Sequence, residues 1–194
     1  MTPVPYAGAL PQPIDTTPEV PEEPHGGYLV AYFTMDGWSD SLRPLEEIGI
    51  RVVLLARNVE ATKPLVPSNV EVSPLLQSSE FLPLLRGAAG VITSPGRNLT
   101  QQALAHAVPV YQMVPTYHRE QRFNASMFQH HCVGVSLSTE ERVVDWAARV
   151  ARPGARSGEL VRQAGRMREW MAQAEERFET LVLPLCRGSL TDVV

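Results

Sequence analysis

The chain has 194 residues, 44% of them hydrophobic and 20% charged, with a formal net charge of −4. That length fits one domain of above-average size or one lobe of a two-lobed protein, and the composition is that of an ordinary globule. The acidic balance gives no general attraction to nucleic acid or acidic membranes, and the two cysteines, Cys132 and Cys186, have neither zinc-site spacing nor the density of a disulfide scaffold.

Residues 1–27 hold a large share of the 17 prolines and end in PEEPHGG, a composition that cannot bury enough apolar surface to fold alone. They are expected to form a linker or extended arm, and they suggest that a further segment precedes them. From residue 28 strand and helix signals alternate. Strands are expected at 28–34, 50–56, 70–75, 90–94, 108–114 and 134–138; helices are expected at 38–49, closed by Gly49, and at 78–89, 99–107, 119–131, 139–150 and 157–182. The strands are continuous apolar runs rather than alternating ones, which marks burial on both faces. The expected fold is therefore α/β, a Rossmann-like parallel sheet of about six strands over residues 28–194, flanked by helices on both faces and ending in a long helix. Leu160, Ala164, Met167, Met171 and Phe178 keep a helical stripe along that last helix, read as core contact or contact with a missing partner lobe rather than a cofactor site. No apolar run approaches the roughly 20 residues that span a bilayer, and the first residues have neither a basic start nor a long apolar stretch. With both cysteines read as reduced and structural, the expected location is the cytoplasm.

In such a sheet, ligands bind beyond the carboxyl ends of the strands, which directs attention to the loops after residues 34, 73, 94 and 114. The first carries TMDG, where Thr34 offers a hydroxyl and Gly37 permits close backbone approach; a helix-capping turn would look the same. The loop after 94 reads SPGRNLTQQ. There Gly96 allows a tight bend, Arg97 offers charge, and Asn98 suits an N-cap at a helix start whose free amides favour an anion. In the loop after 114, Glu120, Gln121 and Asn124 lie about one helical turn apart, with groups suited to paired sugar hydroxyls. No G-x-G-x-x-G, G-K-[ST] or G-x-S-x-G occurs, and His118, His130 and His131 have no metal-ligand pattern.

Taken in order, the Gly-containing helix start, the A-x-A-V-P-V strand and P-x-x-x-x-E-Q-x-x-N-A resemble the C-terminal, donor-binding lobe of two-lobed (GT-B type) glycosyltransferases. The likeness is to the UDP-glycosyltransferases and the lipid II N-acetylglucosaminyl synthase, over about residues 28–183 and most specifically over 92–125. It implies a diphosphate held by Ser94, Gly96, Arg97, Asn98 and Thr100, with Thr34 and Gly37 facing the same phosphates. Gly96 and Asn98 match the family's motif, whereas Ser94 stands at its histidine and Leu99 at its serine. Gln102 replaces the glutamate that grips the nucleotide ribose and hydrogen-bonds there without charge. Glu120 and Gln121 match the pair that binds sugar hydroxyls, and Asn124 the asparagine that follows.

The resemblance implies a UDP-linked donor sugar, no cofactor and, with no Asp-x-Asp in the chain, no metal. Acceptor site and any catalytic base would come from an absent N-terminal lobe or partner subunit, leaving the isolated chain inactive. The alternatives are a non-catalytic nucleotide-sugar-binding or degenerate lobe, and a sugar-nucleotide 2-epimerase relative.

Overall fold

Runs such as LVA at 29–31 and VVLL at 52–55 place apolar side chains on successive positions, which in a strand point to opposite faces. Both faces must then be covered. The computed structural model, which describes residues 27–33, 38–152, 154–155 and 157–177, has this arrangement. Six strands, β1 (Tyr28–Tyr32), β2 (Arg51–Ala56), β3 (Val70–Pro74), β4 (Gly90–Thr93), β5 (Val110–Gln112) and β6 (Val135–Leu137), form one sheet. All neighbours run parallel, in the order β3-β2-β1-β4-β5-β6. The α-helices are α1 (Val59–Thr62), α2 (Ser78–Gly87), α3 (Arg97–Ala105), α4 (Arg119–His131), α5 (Val143–Val150) and α6 (Gly158–Arg177). The fold is thus a Rossmann-like α/β sheet with a long final helix.

Register sorts the apolar side chains into two cores. Val53, Val30, Val91 and Val110 sit side by side across four strands and share one core with Leu85, Leu104, Phe128, Leu160 and Ala164. On the opposite face Leu29, Ala31, Leu54 and Ile92 pack with Leu42, Leu45 and Trp146. Each fully buried side chain of this size contributes about 1.5–3 kcal/mol of transfer free energy. Leu160, Ala164 and Met171 of the α6 stripe are buried; Phe178 lies outside the described residues.

The strands are shorter than expected by a residue or two at one or both ends, and helical stretches differ as well. Ser39–Glu46 is a 3-10 helix rather than an α-helix; it contains Pro44, whose ring would clash in an α-helix with the carbonyl four residues back. Gly49 does close this stretch, with φ +63°. Thr139–Arg142 forms turns before α5 begins, and α3 starts two residues earlier than expected. The four-residue α1, too short to carry an apolar period, is capped by Asn58, whose side chain accepts the Ala61 amide at 3.1 Å.

Candidate functional site

The chain builds β1, β2 and β3 outward in one direction, then returns to place β4, β5 and β6 on the other side of β1. Between β1 and β4 the crossover helices diverge to opposite sides, so a crevice opens beyond the strands' carboxyl ends. Here it measures about 710 Å³. Tyr32 and Leu55 at the ends of β1 and β2, with Leu75, Leu76 and Phe81 beyond β3, give it an apolar wall. The opposite wall is polar: Thr93 to Gly96, then Arg97, Asn98 and Gln102 on α3, and Glu120, Gln121 and Asn124 at the start of α4, with His118 just before it.

Two helix starts face this space. Gly96 is the N-cap of α3 and has no side chain to accept the first-turn amides, so the positive end of the helix dipole meets the crevice without a side-chain cap. Asn98, expected at the N-cap, instead occupies the second helical position and is exposed beside Arg97. The Pro-Gly turn is tight enough, with the Gly96 amide 2.6 Å from the Ser94 carbonyl, to let the helix begin sooner than the asparagine signal suggested. His118 is the N-cap of α4 and likewise gives no side-chain cap. Asn124, 9% exposed, donates from Nδ2 to the Pro95 carbonyl at 3.2 Å and so ties α4 to the turn that launches α3.

The structure gathers Ser94, Gly96, Arg97, Asn98, Gln102, Glu120, Gln121 and Asn124 around this one crevice. Thr100 it does not. Its side chain is fully buried beneath α3, where Oγ1 accepts a 3.0 Å hydrogen bond from Gln112 Nε2, so it fastens the helix to β5 and does not reach the crevice. Thr34 and Gly37 lie outside the described residues. The apolar wall and His118 were not singled out from sequence as site residues. Leu75, Leu76 and Phe81 belong to no local motif, but their position just beyond a strand's carboxyl end is the signal that finds them.

Among the described residues, the ionisable groups displaced from their ordinary values do not line the crevice. Tyr111 is pushed up to about 12 by burial, with Glu141 and Asp145 adding to it, and its hydroxyl donates to the Glu141 carbonyl at 2.6 Å. Burial also raises Cys132, the free cysteine, which makes a thiolate there unfavourable; Cys186 lies outside the described residues. Among the described residues no three His, Cys, Asp or Glu side chains gather where a metal could bind, and no helix is long and apolar enough to cross a membrane.

No protein-family model matches the chain, and no curated protein matches it in sequence. Among solved structures it is similar to the calicheamicin glycosyltransferase CalG4, with TM-score 0.55, 17% identity, and coverage of 84% of this chain and 45% of that one. A mutant O-GlcNAc transferase of Thermobaculum terrenum gives TM-score 0.54, 19% identity and coverage of 85% and 35%. LpCGTa, solved in complex with UDP, gives 0.52, 18%, and 81% and 42%. At such identities the likeness is one of fold, and the chain spans 35% to 45% of the length of these neighbours.

Proposed function

We propose that the chain is the donor-binding lobe of a two-lobed (GT-B type) glycosyltransferase and that its crevice holds a nucleotide-diphosphate sugar, UDP-linked. The observation that carries this is the convergence of two helix starts, those of α3 and α4, on one crevice at the sheet's switch point. A fold shared with LpCGTa, solved in complex with UDP, supports the choice of nucleotide.

In this reading the nucleobase lies along Leu75, Leu76 and Phe81, and Gln102 meets the ribose. The diphosphate sits at Ser94, Gly96, Arg97 and Asn98, and Thr34 and Gly37 are further phosphate contacts in the same reading. Glu120 and Gln121 take sugar hydroxyls, while Asn124 holds the Pro95 turn and acts on the ligand only through it. In transfer the acceptor's nucleophilic atom bonds to the anomeric carbon as the bond from that carbon to the β-phosphate oxygen breaks, leaving negative charge on the departing diphosphate. The α3 dipole and the Arg97 guanidinium stabilise that charge without reorganising. This mechanism uses no cofactor and no metal. The acceptor and any base come from an N-terminal lobe or partner subunit, with residues 1–27 as connector, in the cytoplasm. A second reading, binding without turnover, draws on Gln102, whose neutral amide stands where the resembled family holds ribose with a carboxylate.

Calorimetry with UDP tests the assignment. Asn98→Ala removes one hydrogen-bonding side chain from the exposed first turn of α3 and is expected to weaken UDP binding about tenfold, the worth of one charge-assisted hydrogen bond. An unchanged dissociation constant would count against phosphate at α3.

A further inference from the structure

The starts of α2 and α4 have the same spacing of groups and use it differently. At α2 the N-cap is Gln77 and the third helical residue is Glu80, whose carboxylate reaches back to accept the Gln77 amide at 3.2 Å. At α4 the corresponding pair is His118 and Gln121, which has the side chains for a similar arrangement. It does not form one. His118 Nδ1 and Gln121 Oε1 are both shielded from solvent, and neither has a hydrogen-bond partner among the described residues. Buried polar groups are normally paired, and leaving one unpaired is unfavourable. Both residues line the crevice and are only partly buried, so rotation about their side-chain torsions can turn these atoms toward it.

What would satisfy both follows from their chemistry. A side-chain amide oxygen only accepts, so a phosphate oxygen, itself an acceptor, cannot pair with Gln121 Oε1. A hydroxyl donates and accepts at once: it can donate to Gln121 Oε1 and accept from a protonated His118 Nδ1. Asn124, one helical turn beyond Gln121, already gives its Nδ2 to the Pro95 carbonyl.

We propose that His118 is a specificity-determining residue which, with Gln121, grips one hydroxyl of the donor's sugar, separately from the nucleotide. The inference rests on the nucleotide-sugar reading above and deepens it. It predicts that UDP-glucose binds the native chain more tightly than UDP. His118→Phe keeps the ring volume and removes the donor, and it should lose about tenfold in UDP-glucose affinity while UDP affinity stays within about twofold. His118→Asn, whose amide nitrogen falls near the place of Nδ1, should recover most of that loss.

Calorimetry of the native chain and both variants with UDP and with UDP-glucose separates the outcomes, and the UDP affinity of each variant reports that it has folded. If UDP binds and His118→Phe leaves the UDP-glucose affinity unchanged, the hydroxyl grip is wrong while the nucleotide site stands. UDP-glucose binding no tighter than UDP to the native chain overturns the grip in the same way. If the native chain binds neither compound, the nucleotide reading fails and this inference with it.

Discussion

Gly96 shows how far a single residue can be assigned to ligand rather than fold. Its backbone angles, φ −100° and ψ 144°, are open to any residue. A Cβ there would meet only the Ser94 carbonyl oxygen, at the ordinary contact distance of 3.8 Å. Nothing in the fold requires glycine, whereas a phosphate seated on the first amides of α3 needs the space a methyl would fill. Gly96→Ala is therefore expected to change the melting temperature little, since the gain of about 0.4–1 kcal/mol from narrowing the unfolded ensemble is offset by a similar loss from alanine's poorer fit to the N-cap position. The same variant should bind UDP at least about tenfold more weakly, a loss of about 1.4 kcal/mol. A variant both stable and fully competent would mean that the phosphate lies elsewhere. At this scale the polar wall of the crevice was legible in the sequence, because Gly, Arg, Asn and the Glu-Gln pair are concentrated at two strand-to-helix junctions. Thr100 was misjudged because rotation along α3 turns it under the helix, onto Gln112. His118 drew attention only as a possible metal ligand, and its N-cap position emerges once α4 is placed.

Elements are held at their spacing by contacts remote from the crevice, and one of these is unusually close. Gly90 opens β4 directly under Trp146 of α5, so that a Cβ would fall 2.7 Å from Trp146 Cη2 and 2.9 Å from Cζ2. Trp146 is fully buried and packs on Tyr111 at a ring separation of 5.3 Å, which leaves it no room to retreat. Gly90→Ala should force α5 away from the sheet and destabilise the protein by about 1–3 kcal/mol, as overpacking a close-fitting core does. Thermal melting measures this. UDP affinity of the folded variant should stay at the native value, since Thr93, the β4 residue that lines the crevice, lies about 10 Å further along the strand. Weakened binding together with unaltered stability would reverse that assignment. Strand order in the chain, the parallel sheet and most helices could be read from sequence because buried strands are continuous apolar runs and long helices repeat their apolar faces. Helix starts were harder to place. At α3 Asn98 signalled an N-cap through its residue type, but a Pro-Gly turn had already set the chain on its helical course.

For the molecule as a whole, the crevice draws on stretches from Tyr32 to Asn124 that only the completed sheet brings together. No loop carries the site by itself, so binding must be linked to global folding. At a UDP concentration one hundred times the dissociation constant, linkage adds about 2.7 kcal/mol to stability. For a chain of this size a kilocalorie moves the midpoint by about 2–4 °C, so saturating UDP should raise it by about 5–11 °C. A midpoint that stays put in saturating UDP would mean that the nucleotide does not engage the folded crevice. Turnover belongs to the same scale. The chain spans 35% to 45% of the length of the glycosyltransferases that share its fold, and the proposed mechanism draws the acceptor and any base from outside it. The chain alone should therefore show the UDP-dependent rise yet release no sugar from UDP-glucose, either to water or to an added acceptor. Sustained release by this chain, abolished by Gly96→Ala, would place the catalytic groups within these 194 residues and remove the need for a second lobe.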